Sequence, residues 1–216
     1  MYIAIEGVIG VGKTTLARML QPRFEAEIQL EVFEENPFLA NFYEDRARYA
    51  FQTQIFFLLS RYHQQRRAVR DTVGNGHNLL TDYTFTKDSL FAGINLEGDE
   101  LEMYQRVHEA LGEKVMAPDL VVYLRADTPV LMQRIAMRDR PYERNMQSEY
   151  IEMLNEAYDG YFGRKGRGSG VLVIECNELD FVMHEDHLDL IEGRIRGALK
   201  MTPFQSELPL ESGAGE

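Results

Sequence analysis

Apolar residues gather in five short runs along this chain: Tyr2–Glu6, Glu27–Phe33, Asn78–Asp82, Leu120–Arg125 and Val171–Glu175. Within them the apolar positions are partly contiguous, not strictly alternating, as in strands buried on both faces. Between them the spacing becomes helical. Lys13–Phe24 follows the first run. Arg48–Val73 is longer and carries Phe51, Ile55, Leu58, Leu59 and Tyr62 at helical spacing. Asp99–Leu111, Pro129–Met137, Ser148–Phe162 and Glu185–Leu199 complete the set. Strand alternates with helix, which predicts an α/β fold: a five-stranded parallel sheet with helices on both faces. The chain has 216 residues, 44% of them hydrophobic, enough for one core, so a single domain is expected over 1–200. The stretch 201–216, with Pro, Ser and Gly and little apolar content, is predicted to be a disordered tail.

Charge then narrows the partners. A formal net charge of −12 repels phosphate backbones, so no nucleic acid polymer is expected. No apolar run is long enough to span a bilayer and the first residues do not resemble a signal peptide, which predicts a cytoplasmic protein without a membrane partner. The single cysteine, Cys176, excludes an intrachain disulfide, and its apolar strand context predicts a buried, inert thiol.

The first strand runs into Gly7-Val8-Ile9-Gly10-Val11-Gly12-Lys13-Thr14-Thr15. Gly7 to Thr14 match G-x-x-x-x-G-K-[ST] at every fixed position, between a strand and a helix as the motif requires. Glycines let the backbone approach phosphate oxygens with its amides, and the helix N-terminus adds partial positive charge. Lys13 would reach the β- and γ-phosphates of ATP, and the Thr14 hydroxyl would ligate Mg²⁺. The motif implies nucleotide binding and phosphoryl chemistry without naming an acceptor.

In an open α/β sheet, ligands sit beyond the carboxyl ends of the strands. Two acids are expected there. Asp82 ends the third run and would hold Mg²⁺ or a metal-bound water. Glu34, in Phe33-Glu34-Glu35-Asn36-Pro37, would take the proton of an attacking hydroxyl, with Glu35 as its rival. On the long helix, Gln54 and Arg61 share a face, seven residues apart. A glutamine amide both donates to and accepts from a nucleobase edge, and Phe51, Phe56 and Phe57 offer ring faces or core packing. Further on, Arg134 and Arg138 share a helix face and Arg140 precedes Pro141, where helix is disfavoured. Cations running off a helix into a loop predict an arginine-rich lid that neutralises charge on a transferred phosphoryl group.

Taken together, these segments resemble the deoxyribonucleoside kinase family, specifically its bacterial deoxyadenosine/deoxyguanosine branch. The resemblance rests on the phosphate loop, Glu34-Glu-Asn-Pro-Phe-Leu39, Phe42-Tyr43, Gln54…Ser60-Arg61, Asp82-Tyr83 and Arg134…Arg138-Asp-Arg140. It implies the P-loop kinase fold and transfer of the ATP γ-phosphate, with Mg²⁺, to the 5′-hydroxyl of a purine deoxyribonucleoside in nucleotide salvage. It further implies Glu34 as general base, Tyr43 and Glu143 as the pair on the sugar 3′-hydroxyl, and Gln54 as the base-reading amide with Arg61 and Asp88 nearby. Tyr83 stands where many relatives carry an arginine, so its part in substrate binding is unassigned. A homodimer through the Arg48–Val73 helix is implied as well. Deoxycytidine, or a broad range of deoxynucleosides, also fits these groups, because cytosine offers an amino group too. A thymidylate-type monophosphate kinase would need cations where Glu34 and Glu35 stand. A non-catalytic P-loop switch would need a water positioner, and no Asn-Lys-x-Asp base motif accompanies the loop.

Overall fold

The structure, a computed structural model, describes residues 1–163 and 170–202. In chain order it runs β1 (Tyr2–Gly7), α1 (Lys13–Arg23), β2 (Ala26–Gln29), α2 (Leu39–Glu44), α3 (Arg46–Thr72), β3 (Asn78–Thr81), α4 (Thr86–Asn95), α5 (Gly98–Gly112), β4 (Leu120–Arg125), α6 (Thr128–Arg138), α7 (Ser148–Tyr158), β5 (Val171–Glu175) and α8 (Glu185–Ala198). Residues 203–216, and with them most of the predicted tail, lie outside the described residues.

All strands are parallel, in the order β2-β3-β1-β4-β5. β1 lies between β3 and β4, with Ile3 opposite both Leu80 and Leu120. All six residues of β1 are buried. Successive side chains of a strand point to opposite faces, so both faces of the sheet centre are covered. Ile3, Ile5, Leu16, Leu20, Leu80, Val122 and Ile174 form part of one continuous core. Among the described residues no helix is long and apolar enough to cross a membrane.

Three departures from the sequence pattern bear on the cleft at the carboxyl ends of the strands. The second strand stops at Gln29, not Phe33. β2 is an edge strand whose last pair is Gln29 with Thr81. Past it the Glu31 amide donates to Asp82 Oδ1 at 2.7 Å, and Phe33–Glu35 winds into a 3₁₀ turn. A backbone donor satisfied by a side chain no longer needs a sheet partner. Two helices escaped the pattern. α2 has six residues, too few to show a period, and α4 carries Gly93 and two residues of low helix propensity, Thr86 and Asn95. The helix predicted to Phe162 ends at Tyr158, followed by a π-turn over Asp159–Gly163. The lid helix ends as expected. Asp139 adopts the left-handed conformation (φ 49°), and Arg140 before Pro141 is extended.

Candidate active site

The loop between β1 and α1 curls over the carboxyl end of β1. Gly7 has φ 150° and a Cβ there would lie 2.5 Å from the Leu124 carbonyl of the neighbouring strand. Gly12 has φ 104° and caps α1, with the Phe181 ring 2.9 Å from where a Cβ would stand. The side chains of Val8 and Val11 are buried, which pins the loop to the core and leaves the backbone to face outward. Lys13 donates from Nζ to the carbonyls of Gly7 (2.7 Å) and Val8 (3.1 Å). Burial, with the charge of Lys87 added, lowers its amine to about 8, against the opposing pull of Glu6, Glu31 and Asp82. Thr14 donates its hydroxyl proton to Asp82 Oδ2 at 2.5 Å.

Beside this loop opens a cleft with about 790 Å³ of free space. Gly10, Lys13, Thr14 and Asp82 line one end, and Tyr43, Gln54, Phe57 and Arg61 the other, with Arg138, Arg140 and Glu143 alongside. Gln54 is 2% exposed. Arg61 stacks over the Phe57 ring at 4.4 Å and pairs with both Glu31 and the wholly buried Asp88. On the lid side Arg138 grips both oxygens of Glu143, the shortest contact being 2.6 Å, and Arg140 approaches the same carboxylate at 3.6 Å. Arg140 also lies 4.3 Å over the Phe33 ring. Tyr43 stacks on Tyr142 with centroids 5.9 Å apart, and burial pushes its phenol well above its usual range.

Most of the expected residues therefore share this cleft: Lys13, Thr14, Tyr43, Gln54, Arg61, Asp82, Arg138, Arg140 and Glu143. Outside the phosphate loop, three expected residues do not line it. Tyr83 is fully buried; as the second residue past β3 it turns into the core, with its carbonyl accepting from the Thr81 hydroxyl. Asp88 sits behind Arg61 and reaches the cleft only through it. Arg134 faces away, donating to the carbonyls of Cys176 (2.8 Å), Leu179 (3.3 Å) and Val11 (3.5 Å), so its charge braces the phosphate loop from behind. Glu34 lies on the 3₁₀ turn Phe33–Glu35, and its side chain is outside those described.

Two residues were missed. Glu31 lines the cleft, one oxygen held by Arg61 and the other 2.5 Å from Lys87 Nζ. Burial alone would raise its carboxyl, but the two cations outweigh that and hold it well below the usual carboxylate range. Ending β2 at Gln29 would have exposed it as the first acid past the strand. Lys87 is 6% exposed and also lines the cleft. Its signal was a lysine in the first turn of a helix, where the dipole disfavours positive charge.

Thr14 and Asp82 suit Mg²⁺, which binds through one or two carboxylates together with substrate phosphates and waters. A phosphate-binding loop, a hydroxyl–carboxylate pair and an acceptor pocket in one cleft define a P-loop phosphotransferase. The chain belongs to the deoxynucleoside kinase family, whose sequence model matches residues 3–199. It is 32% identical over 198 residues to a deoxyguanosine kinase of Bacillus subtilis, covering 90% of this chain and 96% of that one. It is also 32% identical over 196 residues to a deoxyadenosine kinase of Dictyostelium discoideum, covering 88% and 78%. Among solved structures, deoxyadenosine kinase from M. mycoides with bound dATP superposes with a TM-score of 0.77 at 28% identity, covering 91% of this chain and 99% of that one.

Proposed function

We propose that this enzyme transfers the γ-phosphate of ATP to the 5′-hydroxyl of deoxyguanosine or deoxyadenosine, and that Glu31, not Glu34, is the general base. The observation that carries the reading is a carboxylate, Glu31, sharing one cleft with the phosphate loop and the buried amide of Gln54. The loop amides and Lys13 hold the triphosphate. Thr14 and Asp82 would hold Mg²⁺, which neutralises phosphate charge when bound. Gln54 meets the base edge, with Arg61 fixed beside it by Asp88 and Phe57. Tyr43 and Glu143 face the sugar. Arg138 and Arg140 supply positive charge as the phosphoryl group moves. A weakly basic carboxylate suffices, because in a loose phosphoryl-transfer transition state the proton leaves late and little covalent work falls to the protein.

The purine preference is supported by the names of the B. subtilis and D. discoideum relatives. Another B. subtilis relative, 26% identical, is a deoxyadenosine/deoxycytidine kinase, which keeps deoxycytidine as the competing acceptor. A panel of deoxynucleosides with ATP and Mg²⁺ decides between them. Deoxyguanosine or deoxyadenosine should give the highest kcat/KM, and a higher value for deoxycytidine or thymidine would refute the preference. Pairing of two copies through α3, where Leu59 is 42% exposed, belongs to the same proposal and is read by light scattering. A cytoplasmic role in nucleotide salvage is also part of it.

A further inference from the structure

An almost wholly buried ammonium is costly unless paired, and Lys87 has that pairing from a cleft carboxylate. The two cations on Glu31 are held differently. Arg61 is fixed by Glu31, by Asp88 and by the Phe57 ring. The Lys87 ammonium makes one hydrogen bond among the described residues, to Glu31 Oε2, and otherwise lies 5.6 Å from the Phe91 ring centroid. A lysine is a point charge on a flexible stem, suited to exchanging partners in a way a forked guanidinium is not. The new partner would be close by, because Lys87 and Lys13 line the same cleft, and the lysine of this loop motif reaches the β- and γ-phosphates.

Resting on Glu31 as the base, we propose that Lys87 is a further catalytic residue, which clamps Glu31 Oε2 until the triphosphate arrives and then turns to the transferred phosphoryl group. A terminal phosphate carries more negative charge than a carboxylate already shared with Arg61, so the ammonium moves toward it. Its departure frees Oε2 to accept a proton. In the chemical step, the sugar 5′-oxygen forms its bond to the γ-phosphorus while the bond from that phosphorus to the β–γ bridging oxygen breaks. The electron pair of that bond leaves with ADP, and the hydroxyl proton passes to Glu31. Lys87 stays on the phosphoryl oxygens throughout.

The test compares Lys87→Met, Lys87→Arg, Glu31→Gln and the double variant Glu31→Gln/Lys87→Met. Lys87→Met should lower kcat by about 100-fold, the scale of losing one preorganised donor to a developing charge. The nucleoside KM should stay within about threefold, and Lys87→Arg should recover at least tenfold of the lost kcat. Normal turnover in Lys87→Met, or no recovery with arginine, overturns the proposal. The double variant leaves no unpaired carboxylate and keeps the test alive if Lys87→Met fails to fold. Its kcat should fall at least tenfold below that of Glu31→Gln alone, because the phosphoryl contact is lost as well. Equal kcat in the two would make Lys87 only a partner of Glu31 and overturn the catalytic role. Glu31→Gln by itself judges the base: turnover within threefold of the unsubstituted enzyme removes Glu31, whereas the Lys87 contact to phosphate is read from the lysine variants.

Discussion

The two ends of the cleft are built on different principles. The phosphate end is one contiguous loop whose function lies in its backbone path. Gly7 and Gly12 hold positive φ against close neighbours, and Lys13 rests on the loop's own carbonyls. The acceptor end draws residues from α2, α3, α4, the loop after β2 and the lid, and its charges are already balanced in pairs: Glu31 with Arg61 and Lys87, Glu143 with Arg138. A backbone path is either kept or lost, whereas a balance of charges can be tipped by degrees. Substitutions at the first end should therefore act steeply, and those at the second in graded, separable ways.

The largest effect should come from Gly7→Ala. The added Cβ would meet a strand carbonyl at 2.5 Å, in a conformation that L residues rarely adopt. Neither the sheet nor the loop can yield without opening the β1–β4 pair. A residue forced into such a region costs on the order of 1–3 kcal/mol before the clash is counted. At roughly 2–4 °C per kcal/mol for a chain of this size, Tm should drop by at least about 5 °C. ATP turnover should become undetectable. A variant that melts like the parent and still binds ATP would show that the loop is softer than its contacts imply.

Legibility in the sequence divides along the same line. The phosphate loop could be read because its chemistry is consecutive in sequence, and the buried strands because contiguous apolar runs leave a local trace. Cys176 was legible for that reason, and it is buried with its thiol pushed up to about 12 by desolvation. The acceptor end was legible only in part. Gln54 and Arg61 lie on one long helix, so a period placed them on one face. Glu31 was hidden by Val32 and Phe33, whose apolar character extended the apparent strand past its true end and drew the acid expected at that end to Glu34. Tyr83 and Asp88 show the other limit. A residue just past a strand, or in the first turn of a short helix, points to cleft or core according to packing with distant segments, and no local spacing records that.

A smaller but still large effect is expected at the lid. Removing Arg138 deletes a cation from the cleft and also leaves the buried Glu143 without its bidentate partner. Arg138→Ala should lower kcat by roughly 10³. It should also raise the nucleoside KM severalfold, as a carboxylate freed from its partner no longer presents a fixed oxygen to the sugar. Glu143→Gln should raise the nucleoside KM while leaving kcat closer to normal. Steady-state kinetics with varied nucleoside separates the two effects. If Arg138→Ala changes KM alone, the arginine serves only to position Glu143, and the graded picture of this end must be redrawn around binding.

The smallest effect is a pH dependence that should appear at one end only. The Lys13 amine is lowered from its usual 10.5 to about 8, by burial first and by Lys87 next. A lowered lysine loses its proton early, and an ATP anion prefers the ammonium form. The free enzyme competent for ATP is thus mostly protonated at pH 7 and mostly neutral at pH 9, so the apparent ATP KM should rise about tenfold across that interval. Glu31 is held well below the carboxylate range by its cations and stays ionised throughout, so the nucleoside KM should remain flat. A parallel rise in both constants would mean that the charge on Lys13 is felt at both ends of the cleft. A flat ATP KM would mean that Lys13 keeps its proton on the carbonyls of Gly7 and Val8 in spite of its burial.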